Sequence, residues 1–214
     1  MAPHPTRYVD LATSGAAIGR CVVLPGRQYT PDGPLLFFAA QVALDRGWDV
    51  RQVWWEAPER GSLGVVDEIN WAGEQLDAAL DGYAGRVLVV GKSLGTLAAG
   101  RAAVHECSGA WLTPLLTERE AAAALLSYPA SQLVMIGSED PYLSREVLAA
   151  LPGTQVVVPG DHVLRVPHDT AAMVASHEQF VRAFDDWLES LPACAGCAPA
   201  GGGQDQPRAP ETAP

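Results

Sequence analysis

A serine at position 93 lies in a pentapeptide that suits it to nucleophilic chemistry. Residues 91–95 read Gly-Lys-Ser-Leu-Gly, directly after the apolar run 86–90 and before a helical pattern. A G-x-S-x-G turn between a strand and a helix projects the serine hydroxyl clear of the sheet, and its glycines let strand and helix pass closely. The helix start also directs backbone N–H groups toward an anion that forms there. The alternative is an ordinary Gly-rich turn in which Ser93 caps the helix.

A serine hydroxyl is a weak nucleophile unless a base takes its proton and an acid orients that base. Two later strands are predicted at residues 132–136 and 155–158, and they are followed by Asp140 and His162 respectively. Ligands gather at the carboxyl ends of strands in open α/β sheets, so these two side chains are expected beside Ser93. The order along the chain, serine then acid then histidine, is the one that accompanies this kind of turn.

Neighbouring residues compete for the roles of acid and base. Glu139 precedes Asp140 in the same loop, and His168 stands at the start of the last predicted helix. We favour Asp140 and His162; the alternative for Asp140 is a solvated carboxylate in an Asx-Pro turn. The sequence has no HExxH motif and no Cys/His cluster, so no metal site is predicted.

An oxyanion that forms during acyl transfer needs two N–H donors. The first is expected from the backbone of Leu94, directly after the nucleophile. The second is expected from the loop at residues 25–29, which follows an earlier strand and reads Pro-Gly-Arg-Gln-Tyr. Gly26 gives this loop backbone freedom, and the N–H of Arg27 is the predicted donor.

Four side chains near this loop are predicted to contact the substrate: Gln28, Tyr29, Trp54 and Trp55. The two tryptophans begin a loop, residues 54–61, that is the predicted wall of the site. The alternative for the loop residues is an ordinary surface loop, and the alternative for the tryptophans is packing on the core or on a helix.

Strands and helices alternate along the chain, which predicts the scaffold for these residues. Strands are predicted at residues 7–12, 18–24, 49–55, 86–90, 110–113, 132–136 and 155–158. Helices are predicted at residues 35–46, 65–83, 94–106, 118–126, 146–151 and 170–191. This alternation favours an α/β fold with a mostly parallel sheet of about seven strands and helices on both faces. The first two strands have little helix between them, which suggests an antiparallel edge.

The length and composition of the chain indicate how many domains it can form. The 214 residues fit one domain, predicted at residues 1–192, and the 48% hydrophobic fraction is sufficient for a core. Residues 193–214, rich in Ala, Gly and Pro, are predicted to form a disordered tail. Cys194 and Cys197 at its start could form a redox or metal pair, but no strand precedes them, no helix follows them and the sequence has no second CxxC.

The charge balance narrows the class of partner. The formal net charge of −11 disfavours nucleic acids and anionic membrane surfaces as partners. We find no apolar stretch long enough to span a bilayer and no signal peptide, so a cytoplasmic location is expected. The expected partner is a small-molecule acyl substrate.

Four segments together resemble the α/β-hydrolase fold, over about residues 7–191. They are Leu24-Pro25-Gly26 and residues 91–95, 137–141 and 160–162. The chain is most similar to the small, lidless bacterial members near the dienelactone-hydrolase-like group. Dienelactone hydrolases proper carry a cysteine at the position of Ser93, so the resemblance is to the group rather than to that activity. Many relatives also have His-Gly in the oxyanion loop, where this chain has Pro25-Gly26.

The resemblance implies a triad of Ser93, His162 and Asp140 and no cofactor. Ser93 and Asp140 are only 47 residues apart, which leaves no room for a cap domain. The predicted function is that of a serine hydrolase cleaving a small ester or thioester through an acyl-enzyme on Ser93. The alternatives are an acyltransferase with the same triad and a non-catalytic binding protein on the same fold.

Overall fold

The computed structural model describes residues 6–192, in which seven strands form one sheet. The strands are β1 (Arg7–Leu11), β2 (Gly19–Leu24), β3 (Trp48–Trp54), β4 (Val87–Lys92), β5 (Ser108–Leu112), β6 (Gln132–Gly137) and β7 (Thr154–Val158). Their spatial order is β1-β3-β2-β4-β5-β6-β7. Strand β1 runs antiparallel to β3, and all other neighbours are parallel. The mostly parallel sheet with one antiparallel edge is therefore confirmed.

Six α-helices cover the two faces of the sheet. They are α1 (Pro34–Asp45), α2 (Val65–Leu80), α3 (Ala99–Val104), α4 (Arg119–Leu126), α5 (Arg145–Ala150) and α6 (Thr170–Ser190). Helices α1 and α6 pack on one face, and α2, α3, α4 and α5 pack on the other. Successive strand residues point to opposite faces, so Val90 joins the core under α1 and α6 whereas Val89 joins the other core. No α-helix within residues 6–192 is long and apolar enough to cross a membrane.

The prediction of a single helix over residues 94–106 is wrong. A 3₁₀ helix, Ser93–Ala98, leads into the shorter α3. The hydroxyl of Thr96 donates to the carbonyl of Ser93 at 2.6 Å, so it occupies an acceptor that an α-helix would use. The result is a tight first turn directly after the central strand β4.

The connections after β2 and β4 diverge to opposite faces of the sheet. The chain leaves β2 through α1 toward β3, and it leaves β4 through the 3₁₀ helix and α3 toward β5. The strand order therefore reverses between β2 and β4, which are hydrogen-bonded neighbours. In open α/β sheets a crevice forms at such a point, outside the carboxyl ends of the strands.

Strand β7 closes the sheet at the edge opposite β1. Among the strands of residues 6–192 only β6 pairs with it, and three of its five residues are exposed, including Val157 at 41%. Helix α6 follows it and packs against α1 and β7. The predicted tail at residues 193–214, with its two cysteines, lies outside the described residues.

Gly95 is the point at which the 3₁₀ helix passes closest to β2. A Cβ at this position would overlap the carbonyl oxygen of Leu24 and lie 2.8 Å from that of Pro25, and both are backbone atoms. We expect Gly95→Ala to lower the free energy of unfolding by about 1–3 kcal/mol, because overpacking forces the strand and helix apart. Urea denaturation measures the difference.

Gly100 in α3 supplies the matched control. A Cβ there would meet only the Cβ of Ala124, at 3.8 Å. Gly100→Ala is expected to be neutral or to stabilise by up to about 1 kcal/mol, because alanine has the higher helix propensity. Equal urea midpoints for Gly95→Ala and the unsubstituted protein would contradict the close approach.

Candidate active site

Three side chains from different loops form a continuous hydrogen-bond chain at the carboxyl edge of the sheet. The Oγ of Ser93 lies 2.7 Å from Nε2 of His162. The Nδ1 of the same imidazole lies 2.9 Å and 3.1 Å from the two carboxylate oxygens of Asp140. Ser93, Asp140 and His162 follow β4, β6 and β7 respectively. The structure thus brings together the three residues that the sequence pattern singles out.

The backbone turn at Ser93 directs its hydroxyl toward the imidazole. Ser93 has φ of 52°, in the left-handed region that few non-glycine residues occupy. A Cβ at Gly91 would lie 2.6 Å from the carbonyl oxygen of Gly95, so a side chain there would prevent the turn from closing. A serine in this conformation persists only where the surrounding structure holds it, which is common at functional sites.

Asp140 is buried and held by a second donor. Its side chain is 0% exposed, and its Oδ1 accepts the backbone N–H of Tyr142 at 2.9 Å. The imidazole of His162 remains 24% exposed and packs against the Tyr142 ring with centroids 5.1 Å apart. The carboxylate is therefore fixed inside the protein, while the histidine is open to solvent and substrate.

The loops after β6 and β7 are tied to each other by backbone hydrogen bonds. The N–H of Glu139 donates to Gly160 at 3.0 Å, and that of Ser138 donates to Val158 at 2.8 Å. A Cβ at Gly137 would overlap the carbonyl oxygen of Gly160, so the two loops are in direct contact. This contact fixes the distance between the carboxylate and the imidazole.

The competing acid and histidines lie elsewhere. Glu139 is exposed and accepts a hydrogen bond from the hydroxyl of Ser138, and His168 is exposed just before α6. His105 pairs with Asp77 on the surface, and His177 is buried in α6 with Nδ1 2.8 Å from the carbonyl of Met173. His4 lies outside the described residues.

Two backbone N–H groups are available beside Ser93. Neither the N–H of Leu94 nor that of Arg27 donates to a protein acceptor within residues 6–192, and both residues line the cavity next to Ser93. Gly26 donates to the carbonyl of Tyr29 at 3.0 Å, which closes a tight turn and leaves the N–H of Arg27 unused at its corner. These are the two donors that the sequence predicts for an oxyanion.

The Arg27 side chain anchors this turn to the opposite wall of the site. Its guanidinium donates to the carbonyl of Pro58 and forms an ion pair with Glu68 of α2. Both charged side chains are largely buried. The Arg27 side chain therefore ties the loop that carries the second donor to α2 and to the loop before it.

The cavity beside Ser93 has a volume of about 220 Å³. It is lined by Arg27, Arg60, Gly61, Leu63, Val65, Glu68, Ser93, Leu94, Leu115, Glu118 and Tyr142. Apolar side chains form part of the wall, and charged side chains of both signs form the rest. The volume lies below the usual range for sites that take drug-sized ligands.

The four side chains predicted to contact the substrate lie outside the lining of this cavity, and their contact with a substrate stays a prediction. Gln28, Tyr29, Trp54 and Trp55 surround a separate cavity of about 60 Å³. The guanidinium of Arg7 stacks over the Trp54 ring at 4.5 Å. The Trp55 ring packs on Trp71 of α2 with centroids 4.9 Å apart. The tryptophans are engaged by neighbouring elements, as the alternative of packing proposes.

Residues that the sequence analysis missed form most of the wall. Leu115 follows the end of β5 by three residues, and Tyr142 follows Asp140 by two. Both could be found by extending the strand-end rule to every strand. Arg60 and Gly61, which line the cavity, belong to the loop predicted as its wall, whereas Leu63 and Val65 lie beyond the predicted segment.

Lys92 is buried directly before the nucleophile. The residue is 2% exposed, and its Nζ lies 4.8 Å from the centre of the Tyr29 ring. Burial lowers the pKa of this lysine to about 8, although the negative charges of Asp140 and Asp161 oppose that shift. Within residues 6–192, no group of three or more His, Cys, Asp or Glu side chains is arranged to hold a metal ion.

No protein-family model matches the chain, and no curated protein matches it. Several solved structures align with it over most of its length. A lidless α/β serine hydrolase from Xanthomonas campestris aligns with a TM-score of 0.62 at 14% identity, over 90% of this chain and 93% of that one. A dienelactone hydrolase from Anabaena variabilis aligns with a TM-score of 0.66 at 17% identity, over 86% and 91%. Est1E from Butyrivibrio proteoclasticus, solved with ferulic acid bound, aligns at 0.65 and 11% identity, over 86% and 94%.

At these identities the likeness concerns the fold. In this structure the interval from Ser93 to Asp140 holds only the 3₁₀ helix, α3, β5, α4 and β6 with their connections, and no lid domain. The topology, the sharp turn at Ser93 and the aligned structures agree with one another. The chain is therefore a small α/β-hydrolase-fold protein of the lidless kind.

Proposed function

We propose that the protein is a serine hydrolase that cleaves a small ester or thioester through an acyl-enzyme on Ser93. The observation that carries this proposal is the hydrogen-bond chain from Ser93 through His162 to Asp140. A serine in a left-handed turn, a partly exposed histidine and a buried carboxylate are the arrangement that activates a hydroxyl for acyl transfer.

In the first half-reaction the Oγ of Ser93 attacks the substrate carbonyl, and Nε2 of His162 takes the hydroxyl proton. The N–H groups of Leu94 and Arg27 stabilise the oxyanion that forms on the former carbonyl oxygen. His162 then gives the proton to the leaving alcohol or thiol, the bond to the leaving group breaks, and the acyl-enzyme remains.

In the second half-reaction water takes the place of the leaving group. His162 removes a proton from the water, which attacks the acyl carbon, and the same proton returns to the Oγ of Ser93 as the carboxylic acid departs. Asp140 keeps Nδ1 protonated and stabilises the imidazolium in both halves. The 24% exposure of the His162 side chain is consistent with the access that water requires.

The cavity supports a small acyl group. Its volume of about 220 Å³ and its apolar wall residues Leu63, Val65 and Leu115 favour a short acyl chain over a long one. An acyltransferase would share the acyl-enzyme and differ only in the final acceptor. Product analysis with a competing alcohol separates the two activities.

A fluorophosphonate probe tests the proposal directly, because it reacts with a serine that has been activated by a base. We expect the protein to gain the mass of one adduct in intact-mass spectrometry and to lose esterase activity in parallel. Ser93→Ala is expected to gain none. Ser127→Ala, which removes an exposed serine at the end of α4, is the matched control and is expected to label like the unsubstituted protein.

The same experiment can reject the proposal. Folded protein that gains no adduct, or an adduct that persists in Ser93→Ala, would contradict an activated Ser93. The first of these outcomes would favour the non-catalytic binding protein.

A further inference from the structure

Lys92 is the only lysine among the 214 residues, and it lies in the protein interior. The alternation of strand β4 explains its direction, because Lys92 has the same parity as Leu88 and Val90 and points to the same face of the sheet. That face lies under α1 and α6. A long cationic side chain is therefore buried one residue before the nucleophile, on the side of the sheet that Ser93 does not use.

The side chain of Lys92 passes beneath the turn at residues 26–29. A Cβ at Gly26 would lie 3.3 Å from its Cδ, and its Nζ faces the ring of Tyr29. The ammonium forms no ion pair with any carboxylate in residues 6–192, although the negative charges of Asp140 and Asp161 act on it. A buried cation without an ion pair is costly to the fold, so its presence at this position calls for a reason.

The turn above this ammonium carries the N–H of Arg27, which is the second proposed oxyanion donor. We propose that Lys92 is a positioning residue that holds the turn at residues 26–29 through the ring of Tyr29 and places a positive charge behind the oxyanion. This inference rests on the proposed hydrolase function of the same site. It adds an electrostatic contribution to catalysis that the hydrogen-bond chain alone does not supply.

The physical basis is the low dielectric around the ammonium. A charge in the interior is screened weakly, so it stabilises a nearby anion more than a surface lysine would. The anion exists only in the transition state and the tetrahedral intermediate. Removal of the charge should therefore lower kcat and leave KM nearly unchanged.

The titration of Lys92 predicts an alkaline limb in the pH profile of kcat. The ionisable groups that face the ammonium are Asp140 after β6, Asp161 after β7 and Tyr29 after β2. Burial raises the pKa of Tyr29 to about 12, so the phenol remains neutral over the range of interest. The kcat of the unsubstituted protein should fall as pH rises through about 8, the pKa of Lys92, and then level off.

Lys92→Met tests the proposal, because methionine fills the same space without charge. We expect its kcat at pH 7 to be about 10–100-fold lower, to match the alkaline plateau of the unsubstituted protein, and to show no limb near pH 8. Lys92→Arg keeps a charge that does not titrate and is expected to restore kcat and abolish the limb. Arg182→Met removes an exposed charge from α6 and should change neither.

Stability should move in the opposite direction from activity. The folded-state pKa of about 8 lies below the usual lysine value, so the unfolded chain binds the proton more tightly, and folding stability rises with pH between the two values. Below pH 8 the protonated ammonium is a constant cost. Lys92→Met is therefore expected to melt at a higher temperature at pH 7 while it turns over more slowly. If Lys92 had a merely structural role, Lys92→Met would lower both the melting temperature and kcat.

A direct measurement needs no variant. Protein grown on ¹³C-lysine contains a single lysine Cε resonance, and its chemical shift should titrate with a midpoint near pH 8. A midpoint near 10.4, or a Lys92→Met variant with unchanged kcat and an unchanged alkaline limb, would overturn the inference. Fluorophosphonate labelling of Ser93 in the unsubstituted protein shows separately whether the proposed function stands.

Discussion

Ser93→Ala, His162→Ala and the double variant are expected to lower kcat by about the same factor, on the order of 10⁴–10⁶. The two side chains act as one unit, since the hydroxyl is activated only through the 2.7 Å contact between Oγ and Nε2. Once either is lost, removal of the other has little left to change. The activity that remains comes from the oxyanion donors and from substrate binding.

Steady-state kinetics on a chromogenic ester measure these factors for all three variants. His168→Ala is the control for the histidine, because His168 is exposed just before α6 and takes no part in the hydrogen-bond chain. Its kcat is expected to be unchanged. Losses that multiply in the double variant would show that Ser93 and His162 act independently, against the mechanism proposed.

Asp140→Asn is expected to lower kcat by about 10⁴ with little change in structure. The carboxylate accepts the N–H of Nδ1 and so keeps Nε2 unprotonated toward Ser93. An amide at this position can also accept, but its NH₂ group can instead donate to Nδ1, which stabilises the tautomer that cannot act as a base. The backbone N–H of Tyr142 also donates to this side chain and competes for its oxygen.

Glu139→Gln is the matched control, because it makes the same chemical change one residue earlier on an exposed side chain. Its kcat is expected to stay within twofold of the unsubstituted value. Thermal melts of both variants separate a loss of activity from a loss of folding. A larger loss of kcat in Glu139→Gln than in Asp140→Asn would show that the acid is Glu139 and not Asp140.

The scaffold could be predicted because it depends on local patterns. Short apolar runs that end at Gly or Pro mark buried strands, and their alternation with helices restricts the connections to parallel crossovers. The split helix after Ser93 could not be predicted in this way. It results from the Thr96 hydroxyl and from the contact of Gly95 with the end of β2, and the latter joins segments distant in sequence.

The positions of Asp140 and His162 could be predicted for the same reason, since parallel strands bring their carboxyl ends to one edge. Most of the side chains that line the cavity could not be predicted in this way. Whether Trp54 and Trp55 face the substrate depends on Arg7 and Trp71, which reach them from other elements. Side-chain direction at the end of a strand is settled by such long-range partners and not by the local pattern.

The burial of Lys92 could be predicted from the alternation of β4. Its parity with Leu88 and Val90 places it on an interior face of the sheet, where a charged residue is unusual. Its contacts could not be predicted, because the turn at residues 26–29 that covers it comes from a distant part of the chain.

The location of β7 at the edge of the sheet distinguishes the base from the other two residues of the hydrogen-bond chain. Ser93 and Asp140 follow β4 and β6, which have a neighbour on each side, whereas His162 follows a strand with one neighbour and several exposed side chains. Local opening of an edge element requires less free energy than global unfolding. We therefore expect partial detachment of β7 to withdraw the base while the remaining sheet stays folded, so that molecules can lose activity without losing the fold.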